Sequence, residues 1–146
     1  MSQVYANVFL GLARAELNLE TGPLRMALID LGLYTPNYST DDFLSDVPGG
    51  AIVATSGNLE NVTLNVSGND LVIDCEDPSF GEVPSGGSAE AILLYRHTGT
   101  AATSRLIGLV DEKPNGDPIS INPNGSEIIV QVNDGADRLL RFQPGV

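Results

Sequence analysis

Alternating apolar and polar residues are the clearest pattern in the chain, and they predict short β-strands. Val62, Leu64 and Val66 alternate with polar neighbours, which is typical of a strand that turns its apolar side chains toward a core. The turn-forming residues 68–70 then lead into a second apolar segment, residues 71–75. Because the connection is so short, the two segments predict an antiparallel hairpin.

Longer apolar runs predict strands that are covered on both faces. Residues 91–95 and 106–110 are apolar on both faces, so we expect them to lie at the centre of a sheet. Residues 24–31, which follow the Gly22-Pro23 turn, predict another mostly buried strand. By contrast, residues 76–88 are acidic and rich in Gly, Pro and Ser, and they predict a long loop.

Turn signals divide the rest of the chain into further short strands. The dipeptides Asn115-Gly116, Asn124-Gly125 and Asp134-Gly135 are typical of tight turns. Residues 128–132 alternate again, and residues 139–142 form a last apolar segment. About eight short strands, with turn signals every 8–12 residues or so, predict a mainly β protein. The expected fold is an antiparallel β-sandwich of the jelly-roll or Ig-like kind.

Two short helices are predicted beside the strands, and the first lies at the N-terminus. Val4, Val8 and Leu12 recur at helical spacing, so residues 3–14 predict a short N-terminal helix.

The second short helix is predicted near residues 40–47. Ser39 can cap its first turn, and two aspartates follow where the helix dipole favours negative charge. Tyr38 and Phe43 occupy the two positions of a hydrophobic staple, and Pro48 with two glycines ends the helix.

Length and charge restrict the class of protein. The chain has 146 residues, a formal net charge of -12 and 42% hydrophobic residues. This length predicts a single β-sandwich domain over residues 1–146, with residues 1–20 as an N-terminal docking segment. With only 7 Lys+Arg, the chain lacks the clustered cations that neutralise nucleic-acid phosphates or bind anionic lipid. We therefore expect neither a nucleic-acid partner nor a membrane partner.

The N-terminal sequence and the single cysteine bear on the compartment. No basic segment or long apolar run begins the chain, so no secretion signal is predicted and we expect synthesis in a cytoplasm. No apolar run approaches the roughly 20 residues that cross a bilayer. Cys75 is the only cysteine of the sequence, which excludes an internal disulfide and fits a reducing compartment.

Few residues offer catalytic chemistry. His97 is the only histidine of the sequence. Because the sequence points to no nucleophile beside it, the favoured interpretation is that His97 packs at a strand end. Cys75 shares a strand face with Leu71 and Ile73 and has acidic neighbours, which predicts a buried small hydrophobe and not a reactive thiol. The sequence therefore predicts no catalytic residue, no cofactor and no enzyme activity.

Clustered carboxylates leave one binding alternative open. Oxygen ligands for Ca²⁺ could come from either of two acidic groups: Asp74, Glu76, Asp77 and Glu82, or Asp134 and Asp137. Their spacing does not match an EF-hand loop, so a solvated acidic surface is favoured and no metal site is predicted. A carboxylate pair for glycoside hydrolysis is disfavoured because aromatic residues make up only 5% of the chain.

One block of the sequence has a distinctive order of residues. It reads Tyr34-Thr35-Pro36-Asn37, followed by Asp41-Asp42-Phe43-Leu44-Ser45-Asp46-Val47-Pro48. Further segments accompany it, namely residues 51–57, 91–95, 98–107, 122–125 and 133–136. Together they resemble the small structural proteins of tailed bacteriophages that are encoded among the head and tail morphogenesis genes. The resemblance spans most of the chain from about residue 24 onward and departs most at roughly residues 67–88.

The resemblance implies a virion structural protein, most closely a head decoration (cement) protein or a head-to-tail accessory. Such a protein lies on the outer capsid surface, often as a homotrimer at local threefold positions, and bridges neighbouring subunits of the major capsid protein. It stabilises the expanded shell because it binds only that state, and repetition over the lattice adds weak contacts by multivalency. The candidate assembly contacts are Val4, Tyr5, Val8, Phe9, Tyr34, Tyr38 and Phe80.

Two other functions stay open at this point. A neck, tail or head-fibre component from the same gene neighbourhood, with a host-adhesion role, differs from a decoration protein by its low copy number per particle. A cellular Ca²⁺-binding or sugar-binding β-domain is the more distant alternative.

Overall fold

The structure, a computed structural model, describes residues 2–113, 115–132 and 140–142. Over these ranges the protein is mainly β, with antiparallel sheets and one α-helix. The strands are β1 Ser2–Val4, β2 Leu24–Ile29, β3 Ile52–Thr55, β4 Thr63–Ser67, β5 Asp70–Asp74, β6 Ser79–Glu82, β7 Ala91–Arg96, β8 Leu106–Val110, β9 Glu127–Ile129 and β10 Leu140–Phe142. Helix α1 spans Asn7–Ala13, and single 3₁₀ turns lie at Leu44–Asp46 and Gly49–Ala51.

The strands of the described ranges form three antiparallel sheets. The main sheet has the order β1-β8-β7-β2-β3, the second β10-β5-β4, and the third β6-β9. The predictions of interior strands at residues 91–95 and 106–110 are confirmed, because β7 and β8 both lie inside the main sheet. Both strands are almost wholly buried, which explains why they are apolar on both faces.

Alternate residues of the main sheet pack into two separate cores, one on each face. The first core contains Met26 and Leu28 of β2 and Leu94 of β7, together with Ile73 of β5 and Phe80 of β6. This face of the main sheet is therefore covered by strands of the two smaller sheets.

The second core is covered mostly by chain that forms no strand. Ala27 of β2 and Leu93 of β7 point to this face because successive side chains of a strand alternate. They pack with Tyr5, Tyr34 and Val47, which come from the N-terminal segment and from the connection between β2 and β3.

The predicted hairpin is confirmed as β4 and β5, but one of its side chains lies elsewhere than expected. The register runs without interruption from Thr63 opposite Asp74 to Ser67 opposite Asp70. Leu64 packs partly against the first core, as predicted. The prediction that Val66 points into a core is wrong, because Val66 is 77% exposed near the turn end of an edge strand.

The predicted helix over residues 3–14 is partly wrong. Its first residues form β1, in which Gln3 lies opposite Leu109 and Val4 opposite Gly108 of β8. The helix itself begins at Asn7. The edge of β8 offers hydrogen-bond partners to the N-terminal residues, and this pairing outweighs a helical spacing that is carried by few apolar residues.

The predicted helix near residues 40–47 is also wrong, apart from one 3₁₀ turn at Leu44–Asp46. An α-helix that begins after Ser39 would need the backbone N–H groups of Phe43, Leu44 and Ser45 for its own hydrogen bonds. Instead, the Asp46 carboxylate accepts from the N–H groups of Asp42 (2.9 Å) and Phe43 (3.0 Å). The N–H groups of Leu44 and Ser45 donate to a different part of the chain, residues 101–104.

The predicted loop 76–88 contains a strand that the sequence pattern did not indicate. β6 pairs with β9, with Ser79 opposite Ile129 and Glu82 opposite Glu127. The Ser79 hydroxyl also donates to the Glu127 carboxylate at 2.7 Å. β3, which pairs with β2, was not predicted either.

At the C-terminal end, the strand predicted over residues 139–142 is confirmed over Leu140–Phe142 as β10, where Leu140 lies opposite Ile73 of β5, and residue 139 lies outside the described residues. The predicted turns at Gly116 and Gly125 are confirmed by their φ of 90. The predicted turn at Asp134-Gly135 lies outside the described residues.

Candidate assembly face

The N-terminal segment, residues 2–17, is docked on the body of its own chain. The Tyr5 N–H donates to the Ile107 carbonyl at 3.0 Å, and the Ala6 N–H donates to the Tyr38 carbonyl at 2.8 Å. Tyr5 and Val8 are both 0% exposed, so their side chains complete the two cores. The segment is thus a structural part of the domain.

A chain of hydroxyl groups joins this segment to the block 34–48. The Tyr5 and Tyr34 hydroxyl oxygens lie 2.9 Å apart, and the Tyr34 hydroxyl lies 2.8 Å from the Asp41 carboxylate, to which it donates. The same carboxylate oxygen accepts from the Asn37 N–H at 2.9 Å. The Tyr5 and Tyr38 rings also pack together, with centroids 5.0 Å apart.

Burial controls the ionisation of the two hydrogen-bonded tyrosines. Desolvation raises the pKa of Tyr5 well above its ordinary value, and the neighbouring Tyr38 and Asp41 add to the increase. Desolvation also raises the pKa of Tyr34, and its hydrogen bonds to Tyr5 and to the Asp41 carboxylate raise it further. Both hydroxyl groups therefore stay neutral and keep their hydrogen bonds at ordinary pH.

The block 34–48 and the segment 98–107 are joined backbone to backbone. Their hydrogen bonds run from Leu44 N–H to Ser104 O (2.8 Å), from Ser45 N–H to Ala101 O (3.1 Å) and from Leu106 N–H to Asp42 O (2.9 Å). Phe43 and Arg105 also form an isolated antiparallel bridge. Together with residues 2–17, these two segments form one continuous surface, which we call the assembly face.

Arg105 links all three segments of the assembly face. Its guanidinium donates to the Asn7 carbonyl at 3.2 Å and lies 3.5 Å from the Glu16 carboxylate. It also lies over the Phe43 ring, 5.3 Å from the centroid. In helix α1, Gly11 leaves the space for this side chain, because a Cβ there would lie 3.3 Å from the Arg105 Nε.

The predicted contact residues differ in how much surface they offer. Four of them are buried in the protein's own cores, namely Tyr5, Val8, Tyr34 and Phe80. The others keep some exposed surface, namely Val4, Tyr38 and Phe9. The structure brings the three N-terminal and loop tyrosines together, whereas Phe80 lies in the core on the other side of the main sheet.

Exposed large apolar side chains lie on helix α1 of the assembly face and directly before the block 34–48. Phe9 and Leu10 of α1 are 48% and 45% exposed, and Leu33, in the turn after β2, is 58% exposed. Sequence reasoning missed Leu10 and Leu33. The sequence did offer one signal. Leu10 lies two residues after the buried Val8 and Leu33 lies directly before the buried Tyr34, so neither belongs to the apolar face of its segment.

Cys75 has the structural role that the sequence predicted. The residue is buried beside Ile73 in the first core. Desolvation, together with the negative charges of Asp74, Asp77 and Glu76, raises the pKa of the thiol to about 12. A thiol in this state is a poor nucleophile.

His97 lies just after β7, as predicted for a residue that packs at a strand end. Its N–H donates to the Pro23 carbonyl at 2.9 Å, and its ring meets the Tyr95 ring edge-on at 6.4 Å. Desolvation and the nearby positive charge of Arg25 lower the pKa of His97.

Two of the acidic residues near 74–82, Asp74 and Asp77, have structural partners. The Asp74 carboxylate accepts from the Cys75 N–H, and the Asp77 carboxylate accepts from the Val132 N–H at 2.8 Å. In the described part of the chain, no group of three or more His, Cys, Asp or Glu is arranged to hold a metal ion. Asp134 and Asp137 lie outside the described residues.

The chain matches no protein-family model and no curated protein. Across the ranges that the structure describes, no helix has the length and apolar character required to cross a membrane.

Proposed function

We propose that the protein is a structural component of a tailed-phage virion, most specifically a capsid decoration protein that binds the outer shell. In this role it bridges neighbouring subunits of the major capsid protein as a homotrimer, and it carries out no catalysis. The observation that carries the proposal is the way in which separate segments with the phage resemblance form one surface.

These segments are far apart in the sequence. The block 34–48 and the segment 98–107 carry the most continuous parts of the resemblance, and backbone hydrogen bonds of 2.8–3.1 Å join them. Tyr34 and Asp41, both in the resemblance block, also form the hydroxyl network that holds the N-terminal segment. A resemblance made of unrelated local matches has no reason to coincide with one hydrogen-bonded unit.

A stiff scaffold suits a protein that must hold a shell together. The fold we propose is a β-sandwich of the jelly-roll or Ig-like kind. In support, the main sheet shares its first core with β5 and β6 of the smaller sheets. A core packed to the density of a crystal transmits load between the surfaces that it joins.

The surface also suits attachment to a protein shell. Phe9 and Leu10 of the assembly face, and Leu33 directly before the block 34–48, are 45–58% exposed, and such residues gain free energy when a partner covers them. The net charge of -12 keeps a densely covered particle soluble through self-repulsion. Binding to the expanded shell alone then stabilises that state by mass action.

Imaging particles tests the proposal directly. Virions of the phage that encodes the chain would be purified with and without this protein and imaged by electron cryomicroscopy. A decoration protein produces density repeated over the whole shell, in hundreds of copies. Density confined to a tail vertex, in a handful or a dozen copies, would instead support a neck, tail or fibre component. Particles that lack the polypeptide altogether would overturn both.

Charged variants test whether the assembly face makes the contact. We expect Leu33→Glu and Leu10→Glu to fold normally and to reduce the number of copies per particle by tenfold or more. The matched control is Ile129→Glu, which places the same charge on a side chain that is 55% exposed in β9, outside the assembly face. Equal occupancy for all three variants would show that the shell binds another surface.

A further inference from the structure

The strand β4 forms an open edge of its sheet. In the order β10-β5-β4 it is the last strand, with β5 on one side and no strand of the described ranges on the other. It is also regular, because its register with β5 is continuous from Thr63 to Ser67. A regular edge strand presents unpaired backbone groups to whatever approaches it.

The register shows which backbone groups face outward. Ser67 and Asp70 flank a two-residue turn, so they form a hydrogen-bonded pair of the hairpin. Such pairs alternate along an antiparallel ladder, so Asn65 and Thr63 also bond to β5. The N–H and C=O groups of Leu64 and Val66 therefore point away from β5, toward the open edge.

This edge carries none of the usual protection against pairing. Residues 61–69 contain no charged residue and no proline, although the whole chain has a net charge of -12. The other described edges differ in this respect. β1 and β10 have only three residues each, β9 and β6 each carry a glutamate, and the pairing of β3 shifts its register between Leu28 and Ile29.

A second feature of β4 is an apolar side chain with little cover. Val66 is 77% exposed, the largest value among the exposed large hydrophobic residues of the described chain. It lies on the same sheet face as Leu64, which packs partly against the first core. A strand added along this edge would extend that face and cover Val66.

We propose that β4 pairs with β4 of a second copy of this chain, in antiparallel orientation about a twofold axis at Asn65. Leu64 then lies opposite the partner's Val66, and Val66 lies opposite the partner's Leu64. These are the residues whose backbone groups point outward, so the same register satisfies the hydrogen bonds of both copies. The contact is isologous and closes at two copies.

The edge of β4 is uncharged and its register is self-complementary, which favours a second copy over other occupants. Two molecules of charge -12 repel, and they can approach closely only where each presents an uncharged surface. Residues 61–69 form such a surface, and Glu60 and Asp70 flank it at its two ends. Added salt screens the remaining repulsion, so we expect the dimer to strengthen as ionic strength rises.

Disulfide trapping tests the register. At the axis, Asn65 faces its own copy in a non-hydrogen-bonded pair with a Cα separation of about 4.5 Å, which fits a disulfide. We expect Asn65→Cys to give a crosslinked dimer on mild oxidation. Cys75 does not interfere, because it is buried and its thiol pKa is raised to about 12.

Neighbouring positions provide the controls for trapping. Thr63→Cys should not crosslink to itself, because the two copies of residue 63 lie roughly 13 Å apart along the strands. A mixture of Thr63→Cys and Ser67→Cys proteins should crosslink, because these two positions face each other across the axis. Crosslinking of Thr63→Cys alone, or none for Asn65→Cys, overturns the register.

Sedimentation velocity tests the edge without new cysteines. We expect the unmodified protein to form dimers as its concentration and the salt concentration rise. Val66→Pro removes the outward N–H of Val66 but leaves the bonds to β5 intact, and Val66→Glu adds charge to the edge. Both should weaken dimerisation by tenfold or more, while Ile129→Glu should not.

Circular dichroism and urea unfolding of each variant show whether the monomer is folded. A protein that stays monomeric at all concentrations overturns the proposal, as does a dimer that survives both Val66 substitutions. The homotrimer proposed on the capsid is a separate association, through another surface of the chain. The pairing is a property of the chain in solution, so it stands or falls separately from the proposed role on a capsid.

Discussion

At the scale of single residues, Arg105 contributes most to the organisation of the assembly face. It joins helix α1, the turn after the helix and Phe43 through the Asn7 carbonyl, the Glu16 carboxylate and the Phe43 ring. Its side chain is only 18% exposed, so most of these contacts are shielded from water. Its guanidinium Nε and Cζ also lie beside Gly11, so its loss would remove packing as well as charge.

We expect Arg105→Ala to lower the free energy of unfolding by about 2 kcal/mol, because it leaves the Asn7 carbonyl without this donor and opens a gap beside Gly11. The matched control is Arg25→Ala, whose exposed hydrogen bond to Asn58 should contribute less than about 1 kcal/mol. Urea unfolding measures both. Equal losses would mean that Arg105 acts only as a surface charge.

The guanidinium of Arg96 occupies space that is free only because residue 22 is a glycine. A Cβ on Gly22 would lie 1.8 Å from the Cζ of Arg96, so an alanine there must displace the guanidinium. The displaced group would lose its hydrogen bond to the Asn18 carbonyl, which measures 3.0 Å.

We therefore expect Gly22→Ala to destabilise the protein by about 1 kcal/mol, and we expect this loss to vanish in the background of Arg96→Ala. A double-mutant cycle by urea unfolding gives the coupling. Gly57→Ala is the control, because nothing lies within 4 Å of a Cβ at that position. Additive effects of Gly22→Ala and Arg96→Ala would contradict the close contact.

At the scale of elements, the β4–β5 hairpin is favoured by its own sequence, whereas helix α1 depends on packing against the rest of the protein. The hairpin has strands of matching pattern and a glycine at the turn position that needs it. Helix α1 has only 7 residues, no side-chain cap and no acidic residue in its first turn. So short a helix is stable only through packing, here of Val8 and Gly11 on the body of the protein.

The hairpin turn gives a prediction at this scale. Gly68 has φ 63, so Gly68→Ala should lower the free energy of unfolding by about 1 kcal/mol through strain in the left-handed region. Asn69→Ala, at the next turn position, should change it by less than about 0.5 kcal/mol. Thermal and urea unfolding of the two variants make the comparison. Equal stability of both would show that the turn adapts to a side chain.

At the scale of the whole molecule, burial of ionisable groups couples stability to alkaline pH. Desolvation raises the pKa of Tyr5, Tyr34, Tyr38 and Tyr95 above the ordinary value of 10.0. The Cys75 thiol behaves in the same way, with a pKa raised from 9.0 to about 12. Between the unfolded and folded pKa values the unfolded chain binds fewer protons, so stability falls as pH rises.

We expect the free energy of unfolding to be nearly constant from pH 7 to about pH 9 and then to fall steadily. The fall begins with the Cys75 thiol and steepens above pH 10, where the tyrosines of the unfolded chain ionise. Urea unfolding at a series of pH values measures the slope. Tyr34→Phe should be less stable at pH 7 by about 1 kcal/mol, because its hydrogen bonds are lost, and should show a shallower alkaline slope. An unchanged slope would contradict the burial of this hydroxyl.

Much of the sheet structure could be predicted from the sequence. The hairpin β4–β5, the buried strand β2 and the interior strands β7 and β8 follow from apolar patterns of period two or from uninterrupted apolar runs. Such a pattern can be seen in the strand's own residues, because each face of a strand must be apolar where it is buried, whichever part of the chain covers it. The strands β1, β3 and β6 carry no such pattern and were missed.

The candidate site was less predictable than the strands. Tyr34 and Tyr38 lie close in sequence and could be grouped from the resemblance block, but nothing local places Tyr5 beside them. Exposure was equally hidden, since Phe9 and Tyr5 look alike in the sequence while one is 48% exposed and the other 0%.

Residue pattern alone thus indicated the hairpin β4–β5, the buried strand β2, the two interior strands β7 and β8, and the burial of Cys75. The tertiary structure determined the backbone conformation of residues 2–17 and 34–48, because N–H groups in these segments bond to carbonyls many residues away. Helical spacing in those segments competes with partners such as Ile107 and Ser104, whose positions depend on the whole sheet. The sequence itself shows which side chains are apolar, but which carbonyl accepts a given backbone N–H depends on the assembled fold.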